Sequence, residues 1–151
     1  MNKEKEAELE KYTDYLFNND FNDENFDSED HTDHLDCAEK VIEGYAWADI
    51  FETWNEFLRK KCTLKEDVIN FCQLFIYYCG TDQFIPNPYD FLGYIFAKVD
   101  ISTCKGRDLE IVDDFAISVL ERSGEISLMN NPVYRSWEDP KLLKAMGKYK
   151  K

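Results

Sequence analysis

A chain of 151 residues with a formal net charge of −13 at pH 7 and 44% hydrophobic residues, among them 11 Phe, 9 Tyr and 3 Trp, holds enough apolar mass for a core, which excludes global disorder. Its 6 Gly and 4 Pro are too few for a loop-rich or low-complexity protein. No run approaches the ~18 consecutive apolar residues of a membrane helix, and Met1-Asn2-Lys3-Glu4-Lys5-Glu6 leads into acids instead of an apolar stretch, so a cytoplasmic protein without a secretory signal is expected.

In chain order, the first helix is predicted from Lys3 to about Asn18, with Leu9, Tyr12 and Leu16 on one side and glutamates in the first turns, where the helix dipole favours them. An acidic loop or arm follows at about 19–33. It has no helical periodicity but carries Phe21 and Phe26. Asp33 is placed to cap a helix bearing Leu35, Ala38, Val41 and Ile42, which Gly44 bends or ends. Residues 45–61 carry the clearest amphipathic stripe: Trp47, Ile50, Phe51, Trp54, Phe57 and Leu58.

Thr63-Leu64-Lys65-Glu66 fits a capping box, and the run Val68–Cys79 predicts a buried central helix closed by Gly80. Asn87-Pro88 reads as cap and first turn of a helix with the stripe Leu92, Ile95, Phe96 and Val99. A further helix is expected over about Arg107–Arg122, with Val112, Phe115, Ala116, Val119 and Leu120 inward and Gly124 at its end. Ile126 and Leu128 suggest a short extended piece near 125–129. Asn131-Pro132 and Asp139-Pro140 each announce a short helix, the second being a basic C-terminal helix at about 140–149. The expected fold is all-α: a single domain over 1–151, an irregular bundle of about six or seven helices.

Charge is unevenly spread. Residues 1–56 hold 18 acids against 4 Lys/Arg, a net of −14, while residues 57–151 hold 13 against 14, a net of +1. Asp20, Asp23, Glu24, Asp27, Glu29, Asp30, Asp33 and Asp36 fall in one stretch without Lys or Arg. The tail after Pro140 carries Lys141, Lys144, Lys148, Lys150 and Lys151 and no acid. Such an anionic surface repels nucleic acid and the membrane face and attracts basic protein surfaces; acidic runs also serve simply as solvated segments.

Catalytic and metal chemistry finds little support. His31, His34 and Cys37 are zinc-type ligands, but spacing by three drifts round a helix and the usual paired cysteines are missing. Calcium-loop frames starting at Asp20 or Asp23 both lack the Gly at position six and the bidentate Glu at position twelve. Cys104 lies beside Lys105 and near Arg107, which would lower its pKa, yet the histidines lie far away in sequence. Asp113-Asp114 and Glu66-Asp67 are adjacent on helices and point apart, as solvated positions do. No Gly-rich phosphate loop exists around Gly106. The five cysteines are expected as reduced thiols. No cofactor, no metal and no enzymatic activity are expected.

What remains is binding. The acids from Asp20 to Asp36 are the candidate partner site, directed at a protein with a basic surface such as a nucleic-acid-binding enzyme, with no direct contact to nucleic acid or membrane. A basic groove that normally holds phosphates rewards a surface of similar charge density. Short, acidic and without catalytic motifs, the chain resembles in general character the proteins with which phages and mobile elements block nucleases by mimicking nucleic acid. The resemblance rests on no particular motif and carries no residue over. The alternative is a helical adaptor or regulatory subunit that binds through an apolar or aromatic patch, with Trp137 in Tyr134-Arg135-Ser136-Trp137 as the anchor.

Overall fold

The computed structural model describes residues 3–18, 44–79 and 84–150. These form six α-helices: α1 (Lys3–Asn18), α2 (Trp47–Lys61), α3 (Lys65–Cys79), α4 (Pro88–Val99), α5 (Gly106–Arg122) and α6 (Pro140–Gly147). A single 3₁₀ turn, Ser136–Glu138, precedes the last. There is no strand among the described residues, and the fold is an all-α bundle.

Each helix buries the stripe its sequence carries. On α2, Ile50, Phe51, Trp54 and Leu58 are buried, with Trp47 and Phe57 partly so. On α5 the inward face is Val112, Phe115, Ala116, Val119 and Leu120. Over the described side chains α4 is more enclosed than α3: Phe91 to Phe96 are six buried residues in succession, whereas α3 keeps Ile69, Asn70, Gln73 and Ile76 only partly covered. Between the helices lies an aromatic centre. The rings of Trp54, Phe71, Phe75, Phe91 and Phe115 meet at centroid separations of 5.6 to 6.1 Å, several of them edge to face, an arrangement that adds about 0.5–1.5 kcal/mol per pair beyond area burial. From α1, Phe17 joins this centre, 4.1 Å from Phe57 and 5.6 Å from Trp54.

The helix ends correct several expectations. Val68 N–H donates to the Leu64 carbonyl, so Leu64, not Thr63, occupies the cap position of α3 and the predicted capping box is displaced. Asn87 does precede Pro88 at the start of α4, but it adopts a left-handed conformation (φ 50°) without a side-chain cap. Asp139 behaves as predicted, accepting from the Lys141 N–H at 2.9 Å. Gly124, at φ 74°, closes α5 with bonds from its own N–H to Glu121 and from Glu125 N–H to Leu120, the paired pattern of a Schellman end. Beyond it no strand forms: Glu125 is a bend, Ile126 and Ser127 take no regular structure, and Leu128 and Met129 belong to a turn. The turn bonds Asn130 N–H and Asn131 N–H to Ser127 satisfy the backbone locally. Asn131-Pro132 likewise starts a turn and no helix.

α6 packs on α4 at close range. A Cβ at Gly93 would stand 2.7 Å from the Ala145 carbonyl carbon, so the absence of a side chain at 93 is what allows the two backbones to approach.

Candidate functional site

All eight acids proposed as the partner site, Asp20, Asp23, Glu24, Asp27, Glu29, Asp30, Asp33 and Asp36, lie outside the described residues. So do the acidic arm at 19–33 with Phe21 and Phe26, the helix expected after Asp33, and His31, His34 and Cys37. The described share of the acidic third is α1 and α2.

These helices meet through Leu9, Thr13 and Phe17 on one side and Thr53, Trp54 and Phe57 on the other. Thr13, fully buried, donates its hydroxyl to the Leu9 carbonyl at 2.8 Å. The helices run in the same direction: Glu56 faces Glu6 and Glu10, and further along, Lys61 reaches Asp14 at 3.1 Å. Glu6 and Glu10, one turn apart on α1, bring their carboxylates with that of Glu56 to within 4.8 Å of one another, all three exposed. None of the three takes part in an ion pair between described residues, although Lys60 and Lys61 line the same cleft as Glu10 and Glu56. Asp49 and Glu52 line the cleft beside them. The i, i+4 spacing of Glu6–Glu10 and of Glu52–Glu56 is readable in the sequence; the register that joins the two rows is not.

The basic tail takes a different place. Lys148 Nζ lies 3.0 Å from Asp90, and Lys150 Nζ 3.0 Å from Asp100. Lys141 stands over the Tyr89 ring. Arg59 of α2 is the hub beneath. It donates to Asn55 at 3.3 Å, to the Tyr149 hydroxyl at 2.9 Å and to Asp90 at 3.2 Å, and its guanidinium packs over the rings of Tyr94 and Tyr149. Partial burial pushes the Asp90 carboxyl up, but hydrogen bonds from Tyr149, Lys148 and Arg59 outweigh it and hold its pKa below the ordinary value. The same contact with Asp90 raises the pKa of Lys148.

The described thiols lie in the core. Cys62, Cys72 and Cys104 are free and buried. Burial, with Asp67 nearby, raises Cys62 to about 12. Burial also raises Cys72 and Cys104. For Cys104 this reverses the expectation: loss of solvent outweighs both the nearby Lys65 cation and a backbone hydrogen bond from Lys105. Asp113 is not merely solvated, because it accepts both the N–H and the hydroxyl of buried Ser136 and so ties the 3₁₀ turn to α5. Burial and the neighbouring Asp113 and Glu110 raise the Asp114 pKa. Trp137 is half-buried against the core with the Arg135 guanidinium 5.8 Å from its ring; Met129 and Val133 are exposed apolar side chains, at 95% and 78%.

No helix among the described residues is long and apolar enough to cross a membrane. Comparison of the chain with protein-family models, curated proteins and solved structures finds no match.

Proposed function

We propose that this protein is a non-enzymatic, acidic binding module whose carboxylates occupy a basic, nucleic-acid-binding groove on a protein partner and so inhibit it. The observation that carries this reading is the segregation of charge. The terminal lysines Lys148 and Lys150 are held by Asp90 and Asp100, not by the described acids of α1 and α2. The described acids of that third bring Glu6, Glu10 and Glu56 together, with Lys60 and Lys61 lining the same cleft and Lys61 engaged by Asp14. Uncancelled like charge held on one part of a surface draws in a cationic counterpart and speeds its approach.

The test is capture of partners from a lysate of the source cells, with binding then measured over a salt series. The expected partner is a nucleic-acid-binding protein whose affinity falls at least ~10-fold between about 50 and 200 mM salt and which is released by competing duplex DNA. Replacing Asp23, Glu24, Asp27, Glu29 and Asp30 by their amides abolishes the complex. A complex insensitive to salt and to these five substitutions rejects the reading. It would favour the adaptor alternative instead, for which the exposed Met129 and Val133 supply apolar surface.

A further inference from the structure

We infer that the turn segment between α5 and α6 is a self-association surface, through which two copies of this chain pair about a two-fold axis. Met129 and Val133 are the most exposed large apolar side chains among the described residues. A single exposed apolar side chain is ordinary. These two stand four positions apart, within about 14 Å of chain, in a segment folded on itself. Asn130 and Asn131 N–H donate to the Ser127 carbonyl at 3.1 and 3.0 Å, and Tyr134 N–H donates to the Asn131 carbonyl at 3.2 Å. Leu128 N–H reaches a Glu121 carboxylate oxygen at 3.4 Å. The backbone is thus set before a partner arrives, and little ordering entropy is lost when its side chains are covered.

The occupant follows from what the same segment offers beside Met129. Val133, Tyr134 and Pro140 line an open cleft of about 380 Å³, with Arg135 and Glu138 among its walls. Projection and hollow therefore belong to one stretch of chain. A surface that carries both fits its own copy: under two-fold rotation, Met129 of each chain enters the cleft of the other, and the contact closes on itself. Methionine is the side chain that best adapts to an irregular hollow. Charge at the cleft repeats the pattern. Asp139 is taken up by the Tyr134 hydroxyl and the Lys141 N–H, whereas Glu138 joins no ion pair between described residues. A uniformly basic partner would oppose Arg135 and a uniformly acidic one would oppose Glu138; a second copy sets each against the other. The net charge of −13 resists pairing, but α1 packs on α2 and α3, and at 0.15 M salt a Debye length of about 8 Å limits the repulsion to charges near the contact. The contact is small, so the dimer is transient and needs high chain concentration. It does not depend on the inhibitory role proposed above.

The experiment is sedimentation of the full chain at about 10 to 500 µM, in sodium chloride from about 50 to 300 mM. The weight-average mass rises with concentration toward twice that of the monomer. Association strengthens several-fold with salt, opposite in sign to capture of a basic partner by the acids. Met129→Asp abolishes the rise while the melting temperature stays within about 1 °C, because so exposed a side chain touches little of its own fold. Arg135→Glu or Glu138→Arg alone weakens association, and an equimolar mixture of the two variants recovers it, since each copy then meets unlike charges. Changing Asp23, Glu24, Asp27, Glu29 and Asp30 to amides leaves the dimer intact, which separates it from the proposed partner site. A monomer at every concentration, an association that weakens with salt, or one that survives Met129→Asp overturns the inference. So does a monomeric chain that loses a different captured protein on Met129→Asp, since the turn then has another occupant.

Discussion

Trp54 buries an indole N–H for which the structure offers no acceptor, while its ring meets Phe17, Phe71 and Phe75. Two terms therefore oppose one another at this position. An unsatisfied buried donor costs about 1–3 kcal/mol, and a Trp→Phe change removes it. The same change leaves a void of roughly 40 Å³, which costs about 1 kcal/mol, together with the lost transfer energy. Trp54→Phe is expected to shift unfolding by less than about 1 kcal/mol, against about 3–5 kcal/mol for Trp54→Ala, as measured by urea denaturation; a Phe variant as damaging as the Ala variant shows that the N–H has a partner. Gly93 presents the reverse balance. Alanine is the better helix former by about 1 kcal/mol, but its Cβ would stand 2.7 and 2.9 Å from the backbone carbon and oxygen of Ala145. Backbone cannot yield as a flexible side chain can, so overpacking wins and Gly93→Ala destabilises by about 1–3 kcal/mol. Ala145→Gly rescues only the part due to its methyl group. Full rescue in the double variant shows that the backbones separate freely.

At the scale of elements, α6 is held on α4 both by this close approach and by the Asp90 latch, where Arg59, Tyr149 and Lys148 converge on one carboxylate. Asp90→Asn keeps one carbonyl acceptor but loses the charge, and is expected to cost about 1–2 kcal/mol at neutral pH. The folded-state pKa of Asp90 lies below its unfolded value. Its contribution is thus complete above the unfolded value of about 3.9 and vanishes as pH falls through the folded value. Denaturation of the native chain and the Asn variant from pH 6 to pH 2.5 is expected to give a gap that is constant down to about pH 4.5 and then closes; a gap that persists at the acid end assigns the loss to packing instead. None of this latch was legible in the sequence, because Arg59, Lys148 and Tyr149 lie 31, 58 and 59 positions from Asp90. The helices themselves were legible wherever a stripe alternates with a polar face, as in Trp47–Leu58 and Val112–Leu120. The proline signal at Asn131-Pro132 misled, since proline fixes φ in turns as readily as in first helical turns. Phe17 and Thr53, both facing the α1–α2 seam, belong to no stripe read from spacing alone, and only the parallel register of those helices gives them a role.

For the molecule as a whole, the asymmetry of charge was plain from counting, and its consequence depends on where the cations go. Of the tail lysines, Lys148 and Lys150 are bound to Asp90 and Asp100, and only Lys61–Asp14 reaches from the rest of the described bundle to α1. Salt then acts in two opposing ways. It weakens exposed pairs such as Lys61–Asp14, each contributing about 0.2–1 kcal/mol, and it screens the self-repulsion of a chain with net charge −13. A Debye length of about 30 Å at 0.01 M salt shrinks to about 8 Å at 0.15 M, so repulsion summed across the acidic third is damped more than contacts near 3 Å. The repulsive sum dominates, and raising sodium chloride from 10 to 150 mM is expected to increase the melting temperature by a few degrees, gradually and without saturation. Substituting Glu6, Glu10 and Glu56 with Gln raises the low-salt value and shallows the rise. A melting temperature that falls with added salt means that the acids are already neutralised within the fold, in which case a cationic partner has no surface to meet.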